Sequence, residues 1–174
     1  MLAATHTVVG TLGSTMRDFL SELRGHGTTF DDRDAFVPEH LPAPGPFLDG
    51  HRVLTGEAHG AFHERTYDIF EERGVYDVTF DYNLARLNLD VRYEDAGFRY
   101  AEEADAPSVL RAEFTPTTAF CPQTETLTVG AARAWNGLAD RHDYDLVRVR
   151  AAPMHHESAA INDRLAEMEA RDVE

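Results

Sequence analysis

An α+β domain, one mixed sheet with helices packed on it behind a proline-rich N-terminal arm, is the fold class this sequence predicts. Three observations carry the prediction. Segments with apolar residues at helical spacing alternate irregularly with segments of period two. Proline is concentrated between residues 38 and 46 rather than spread along the chain. At 174 residues and 43% hydrophobic content, the chain is long enough for one single compact domain with a substantial core.

The elements follow in order. Ser14 is placed to cap a helix over Ser14–Arg24, with Met16, Phe19, Leu20 and Leu23 on one face and Gly25 as its stop. Pro42, Pro44 and Pro46 each remove a backbone donor, so the stretch to Gly56 is an arm rather than a helix or a central strand. The division expected is therefore 1–56, helix and arm, and 57–174, the α+β domain. Glu57–Glu72 has the helical period, with Phe62, Tyr67 and Phe70 apolar and Gly74 ending it. His59 and His63 lie four apart on this helix and read as a surface pair. Residues 75–83 and 84–93 read as strands, the second because Leu87, Leu89, Val91 and Tyr93 alternate with polar residues. A turn over 94–97 returns the chain into a short strand at Phe98–Tyr100, and 109–114 is a further strand. Leu127, Ala131, Ala134, Trp135 and Leu138 share one helical face, 144–151 alternates as a strand, and Ser158 starts a last helix through Arg171 that buries Ile161, Leu165 and Met168. The chain has no internal repeat.

Charge narrows the classes of function. The formal net charge is −15, and all sixteen basic residues are arginine. Such a surface repels phosphate backbones and argues against nucleic-acid binding. The acidic, lysine-free composition resembles that of halophilic proteins, whose self-repulsion is screened by a salt-loaded solvent. No apolar run approaches the roughly 20 residues that span a bilayer, and the first residues lack the pattern of an export signal. The expectation is a cytoplasmic protein without a membrane partner. One cysteine makes no intrachain disulfide.

That cysteine, Cys121, precedes Pro122, a residue suited to the first position of a helix. The spacing predicts Cys121 at a helix N-cap, where the dipole favours a thiolate, both nucleophile and soft metal ligand. The alternative is a small buried side chain of purely structural value. A second feature, "APMHHES" at Ala152–Ser158, follows the last strand and supplies His155, His156 and Glu157 as candidate metal ligands or as a base for the thiol. If the two preceding strands are parallel neighbours, both loops open at the same end of the sheet.

Over about Ala112–Glu169, "FTPTTAFCPQTETLTVG", "YDLVRVRAAP" and "HHESAAINDRL" stand in an order that resembles the small iron–sulfur cluster assembly family: archaeal and bacterial metal–sulfur cluster biosynthesis proteins and the eukaryotic cytosolic targeting subunit. An Asp-Pro-Glu motif usual in the first part of that family has no counterpart here. The resemblance implies an accessory factor in cluster assembly or delivery, with Cys121 as the functional thiolate and a transient iron–sulfur cluster or iron as its cargo. Recipient apoproteins or other assembly proteins would be its partners. Clusters are usually held by four thiolates, so a chain with one cysteine shares the cluster across a homodimer, completes the site with histidine or carboxylate, or borrows a partner's cysteines. Two rival readings stand beside it: an interaction module with a structural cysteine, and a thiol-dependent hydrolase or transferase using His155 or His156 as base.

Overall fold

A computed structural model describes residues 29–172; the expected helix over Ser14–Arg24 lies outside them. The described chain runs β1 (Arg52–Val53), α1 (Gly56–Arg73), β2 (Tyr76–Asp77), β3 (Tyr82–Asn83), a 3-10 helix (Leu84–Leu89), β4 (Gly97–Glu102), β5 (Val109–Thr115), α2 (Thr124–Gly137), β6 (Leu146–Ala151) and α3 (Ser158–Asp172). Four strands form one mixed sheet in the order β1-β4-β5-β6. β4 pairs antiparallel with both β1 and β5, whereas β5 and β6 are parallel, joined by the crossover through α2. The α+β class is as the sequence predicts, and the parallel pair of β5 and β6 meets the condition for their following loops to share one end of the sheet. None of the helices described is long and apolar enough to cross a membrane.

Alternation sets the two faces of the sheet. Phe98, Tyr100, Leu110, Ala112, Phe114, Val147 and Val149 form one face and pack against Phe62 and Phe70 of α1 and Leu127, Ala131 and Trp135 of α2. Trp135 donates its indole N–H to Thr66 Oγ1 (3.0 Å), which ties the two helices together inside the core. The opposite face carries Arg99, Arg111, Glu113, Arg148 and Arg150, and the proline-rich arm lies across part of it. Glu113 accepts from the backbone N–H groups of Gly45 (2.6 Å) and Phe47 (3.2 Å), while Arg111 donates to the Phe47 carbonyl (3.0 Å). The Phe47 ring sits 4.6 Å from the Arg111 guanidinium and 5.2 Å from that of Arg150. Gly45 cannot be replaced without movement, because a Cβ there would run into the Glu113 carboxylate. Burial pushes the Glu113 carboxyl up against the opposing pull of its two backbone donors.

Three asparagines close the open edges of this sheet. Asn136 of α2 accepts from Val147 N–H (2.8 Å) and donates to Val147 C=O (2.9 Å). Asn162 of α3 does the same at Ala151 (2.7 and 3.0 Å), and Asn88 at Phe98 on β4 (2.6 and 2.8 Å). A primary amide presents a donor and an acceptor side by side, as a neighbouring strand would, so each residue satisfies both backbone groups of one edge position.

The structure corrects the sequence reading at three places. Residues 84–89 are a 3-10 helix, not a strand; Asn83 accepts from Ala85 N–H (2.9 Å) at its start, and Leu84, Ala85, Leu87, Asn88 and Leu89 are all buried, so their alternation has no exposed side. Residues 75–83 are a short hairpin with Asp81 in the left-handed region (φ 54°), not one strand. His59 and His63 are buried rather than exposed, because α1 is covered by the sheet on one side and by the arm at Phe36 on another. His63 bridges the Tyr100 hydroxyl and the Ala85 carbonyl, each at 2.7 Å.

Candidate functional site

The parallel pairing of β5 with β6 brings their following loops to one end of the sheet, and hydrogen bonds join the loops there. His155 is 2% exposed. Its Nε2 lies 2.9 Å from the Cys121 carbonyl and its Nδ1 lies 3.1 Å from the Glu157 backbone N–H. A carbonyl only accepts and an amide N–H only donates, so the ring is the neutral Nε2–H tautomer with both nitrogens engaged. In this arrangement His155 has no lone pair left for a metal or for a thiol proton. It acts as a clip between the loops.

His156 differs. Its Nδ1 lies 2.8 Å from the Ala119 carbonyl and therefore carries the proton, which leaves the Nε2 lone pair free. That nitrogen is 3.9 Å from Glu157 Oε2, and both side chains are open to solvent. An imidazole oriented by one N–H to a carbonyl, with the other nitrogen free, has the orientation that metal-ligating histidines commonly show. Among the described residues, however, no group of three or more histidine, cysteine, aspartate or glutamate side chains is placed to hold a metal ion. His156 and Glu157 together offer at most two donors.

Cys121 is half-buried and stands ahead of the helix rather than at its cap. α2 begins at Thr124 with Gln123 as N-cap, so Pro122 is not the first helical residue. The reason lies in two side chains. Thr124 Oγ1 donates to the Cys121 carbonyl (3.1 Å), closing a turn over Pro122 and Gln123 before the helix starts. Gln123 turns its amide away from the helix, accepting from Val78 N–H (3.0 Å) and donating to Thr79 Oγ1 (2.6 Å). It is thus the carbonyl of Cys121, shared by Thr124 and His155, that meets the helix start. The sulfur lacks the first-turn position on which the dipole argument depends.

The two loops and the neighbouring hairpin carry exposed apolar side chains. Phe120 is 73% exposed, its ring tilted against that of His156 with centres 5.0 Å apart; Met154 is 44% exposed; Val78, whose N–H donates to Gln123, is 82% exposed. Met154 also lines a cleft of about 500 Å³ with Pro116, Thr117 and the 91–96 turn. Sequence reading missed all three residues. Val78 was hidden inside a segment read as one strand, and Phe120 and Met154 stand in loops where periodicity gives no signal.

No curated protein and no solved structure matches the chain. A family model described as a domain of unknown function (DUF7998) matches residues 28–174, from the start of the arm to the end of the chain, and the protein belongs to that family.

Proposed function

We propose that this protein is an accessory factor in iron–sulfur cluster assembly or delivery, one that docks on a recipient or assembly protein and presents Cys121 to it. A single observation supports the reading best: the loop after β6 is clipped to the cysteine loop by His155 and His156, and the two loops expose Phe120 and Met154. Single exposed apolar residues are ordinary, but Phe120 and Met154 on two loops joined to each other suit contact with a partner. The cargo, iron or a cluster, would take the Cys121 thiolate and His156 Nε2 or Glu157 from this chain. The partner or a second copy would complete its coordination.

Anaerobic loading with Fe(II) and sulfide tests the reading. Wild-type protein should retain iron and acid-labile sulfide, and Cys121→Ser should lose both while keeping its unfolding midpoint. Equal loading of the two proteins removes Cys121 from the function.

The engagement of both His155 nitrogens favours a second reading, a docking module in which the cysteine loop is a structural surface. On that reading Phe120→Ser and Val78→Ser weaken partner capture while Cys121→Ser leaves it unchanged. A Cys–His hydrolase or transferase would have to rely on His156, since His155 has no free nitrogen in this arrangement.

A further inference from the structure

We propose that Arg99 and His59, closed beneath the arm at Phe36 and Pro42, form a binding site for a small monovalent anion of the chloride type. Arg99 is 6% exposed, and no carboxylate of the described residues pairs with it. Its cross-strand partner is Glu113, yet Glu113 spends its oxygens on Gly45 and Phe47 while Arg99 donates to the Pro42 carbonyl (3.0 Å). Opposite charges placed side by side on two strands are therefore each used to hold the arm, and no described carboxylate serves the guanidinium as counter-ion. Among the described residues its Nε–H has no hydrogen-bond partner, and neither does His59 Nδ1. Both groups pack on one ring: the guanidinium carbon is 5.5 Å and the His59 ring 5.0 Å from the centre of Phe36.

Two buried, unpaired polar atoms on one ring, beside a buried positive charge, call for a ligand or an ion. The charge balance selects its class. Burial above all, with the Arg99 charge nearby, holds His59 neutral, its pKa pushed down to about 3, so the site carries one positive charge from Arg99. A monovalent anion cancels that charge. A phosphate dianion would leave a buried negative charge and more oxygen lone pairs than these donors can satisfy. Chloride needs no fixed acceptor geometry and is served by an Nε–H and an imidazole Nδ1–H. Neither atom reaches solvent while the arm is closed, so the anion enters as the 36–42 segment lifts and is trapped when it returns. Halide and arm closure should therefore be linked.

The test is the chloride NMR linewidth in the presence of the full chain, at constant ionic strength with gluconate as the replacing anion, together with the rate of proteolysis within the arm. Wild-type protein should broaden the chloride signal, and chloride should slow arm cleavage relative to gluconate. Arg99→Met and His59→Phe should each lose both effects. His59→Phe keeps a ring against Phe36 and serves where Arg99→Met does not fold. No excess broadening in wild type, or broadening unchanged in His59→Phe, overturns the proposal and leaves chloride contacts of the general surface only. These readouts do not involve Cys121, so they stand or fall apart from the cluster-delivery reading.

Discussion

Replacing His155 with phenylalanine isolates what the imidazole does at the junction of the two loops. An aromatic ring is retained, though a larger one, and two hydrogen bonds disappear: Nε2–H to the Cys121 carbonyl at 2.9 Å and Glu157 N–H to Nδ1 at 3.1 Å. Each contributes about 0.5–1.5 kcal/mol net. The Cys121 carbonyl keeps its bond from Thr124 Oγ1, and the freed Glu157 N–H belongs to an exposed residue that water can serve, so no orphaned group adds a further penalty. The expected loss is thus about 2 kcal/mol, the sum of two ordinary bonds. His156→Phe is the control: it removes one bond from an exposed ring and should cost under about 1 kcal/mol. The assay is urea unfolding, read as a change in midpoint at constant slope, with the native-state alkylation rate of Cys121 as a local probe. His155→Phe should speed alkylation by loosening the cysteine loop, and His156→Phe should do so much less. A His155→Phe protein within about 0.5 kcal/mol of wild type, the range of unremarkable surface changes, would refute the clip, as would equal effects from the two variants.

Three further outcomes follow from the same structure. Asn136→Ala and Asn162→Ala should each cost about 2–3 kcal/mol in urea unfolding, since each leaves one strand N–H and one C=O without its partner. Acid should destabilise the protein early: burial holds His59 and His63 neutral at pKa values of about 3 and about 4, below their unfolded value of 6.5. Their contribution is complete above pH 6.5 and is lost as pH falls toward those values, on the order of a few kcal/mol by pH 5. Glu113, shifted upward, works in the opposite sense. The urea midpoint should therefore drop between pH 7 and pH 5, and less steeply in His59→Phe; a flat profile contradicts the assignment. Finally, with a net charge of −15, the urea midpoint should rise between about 0.1 and 2 M monovalent salt as carboxylate repulsion is screened.

Much of this fold is legible in the sequence wherever one face of an element is buried and the other is wet. β6 alternates buried and half-buried residues along Leu146–Ala151, and α3 buries Ile161 and Leu165 as its spacing predicts, while Met168, expected with them, is only partly buried. The reading fails where burial is two-sided. In the 84–89 helix nearly every side chain is inside, so a pattern of period two has no physical meaning there. On α1 the polar face turns inward because an arm far from it in sequence covers it, and no local pattern announces that cover. The site divides in the same way. The meeting of the two loops was legible as a consequence of parallel pairing, but the start of α2 depends on where Gln123 and Thr124 spend their side chains. The role of His155 depends on a carbonyl and an amide that sequence does not mark.

The amide that seals β6 at Val147 also belongs to the pair Asn136-Gly137, the dipeptide whose chemistry most readily turns asparagine into aspartate through a cyclic imide. Ring closure needs the Gly137 nitrogen to reach the side-chain carbonyl carbon of Asn136. In the folded chain that side chain is tied to Val147 on both of its polar atoms and to the Ala132 carbonyl, and Gly137 lies within the last turn of α2. Folding therefore keeps this bond chemically young. Once α2 lifts from β6 and the imide forms, hydrolysis leaves a carboxylate facing the Val147 carbonyl, and the edge no longer recloses as before. Slow chemical ageing at residue 136 is then a cumulative record of how often this corner of the molecule has opened.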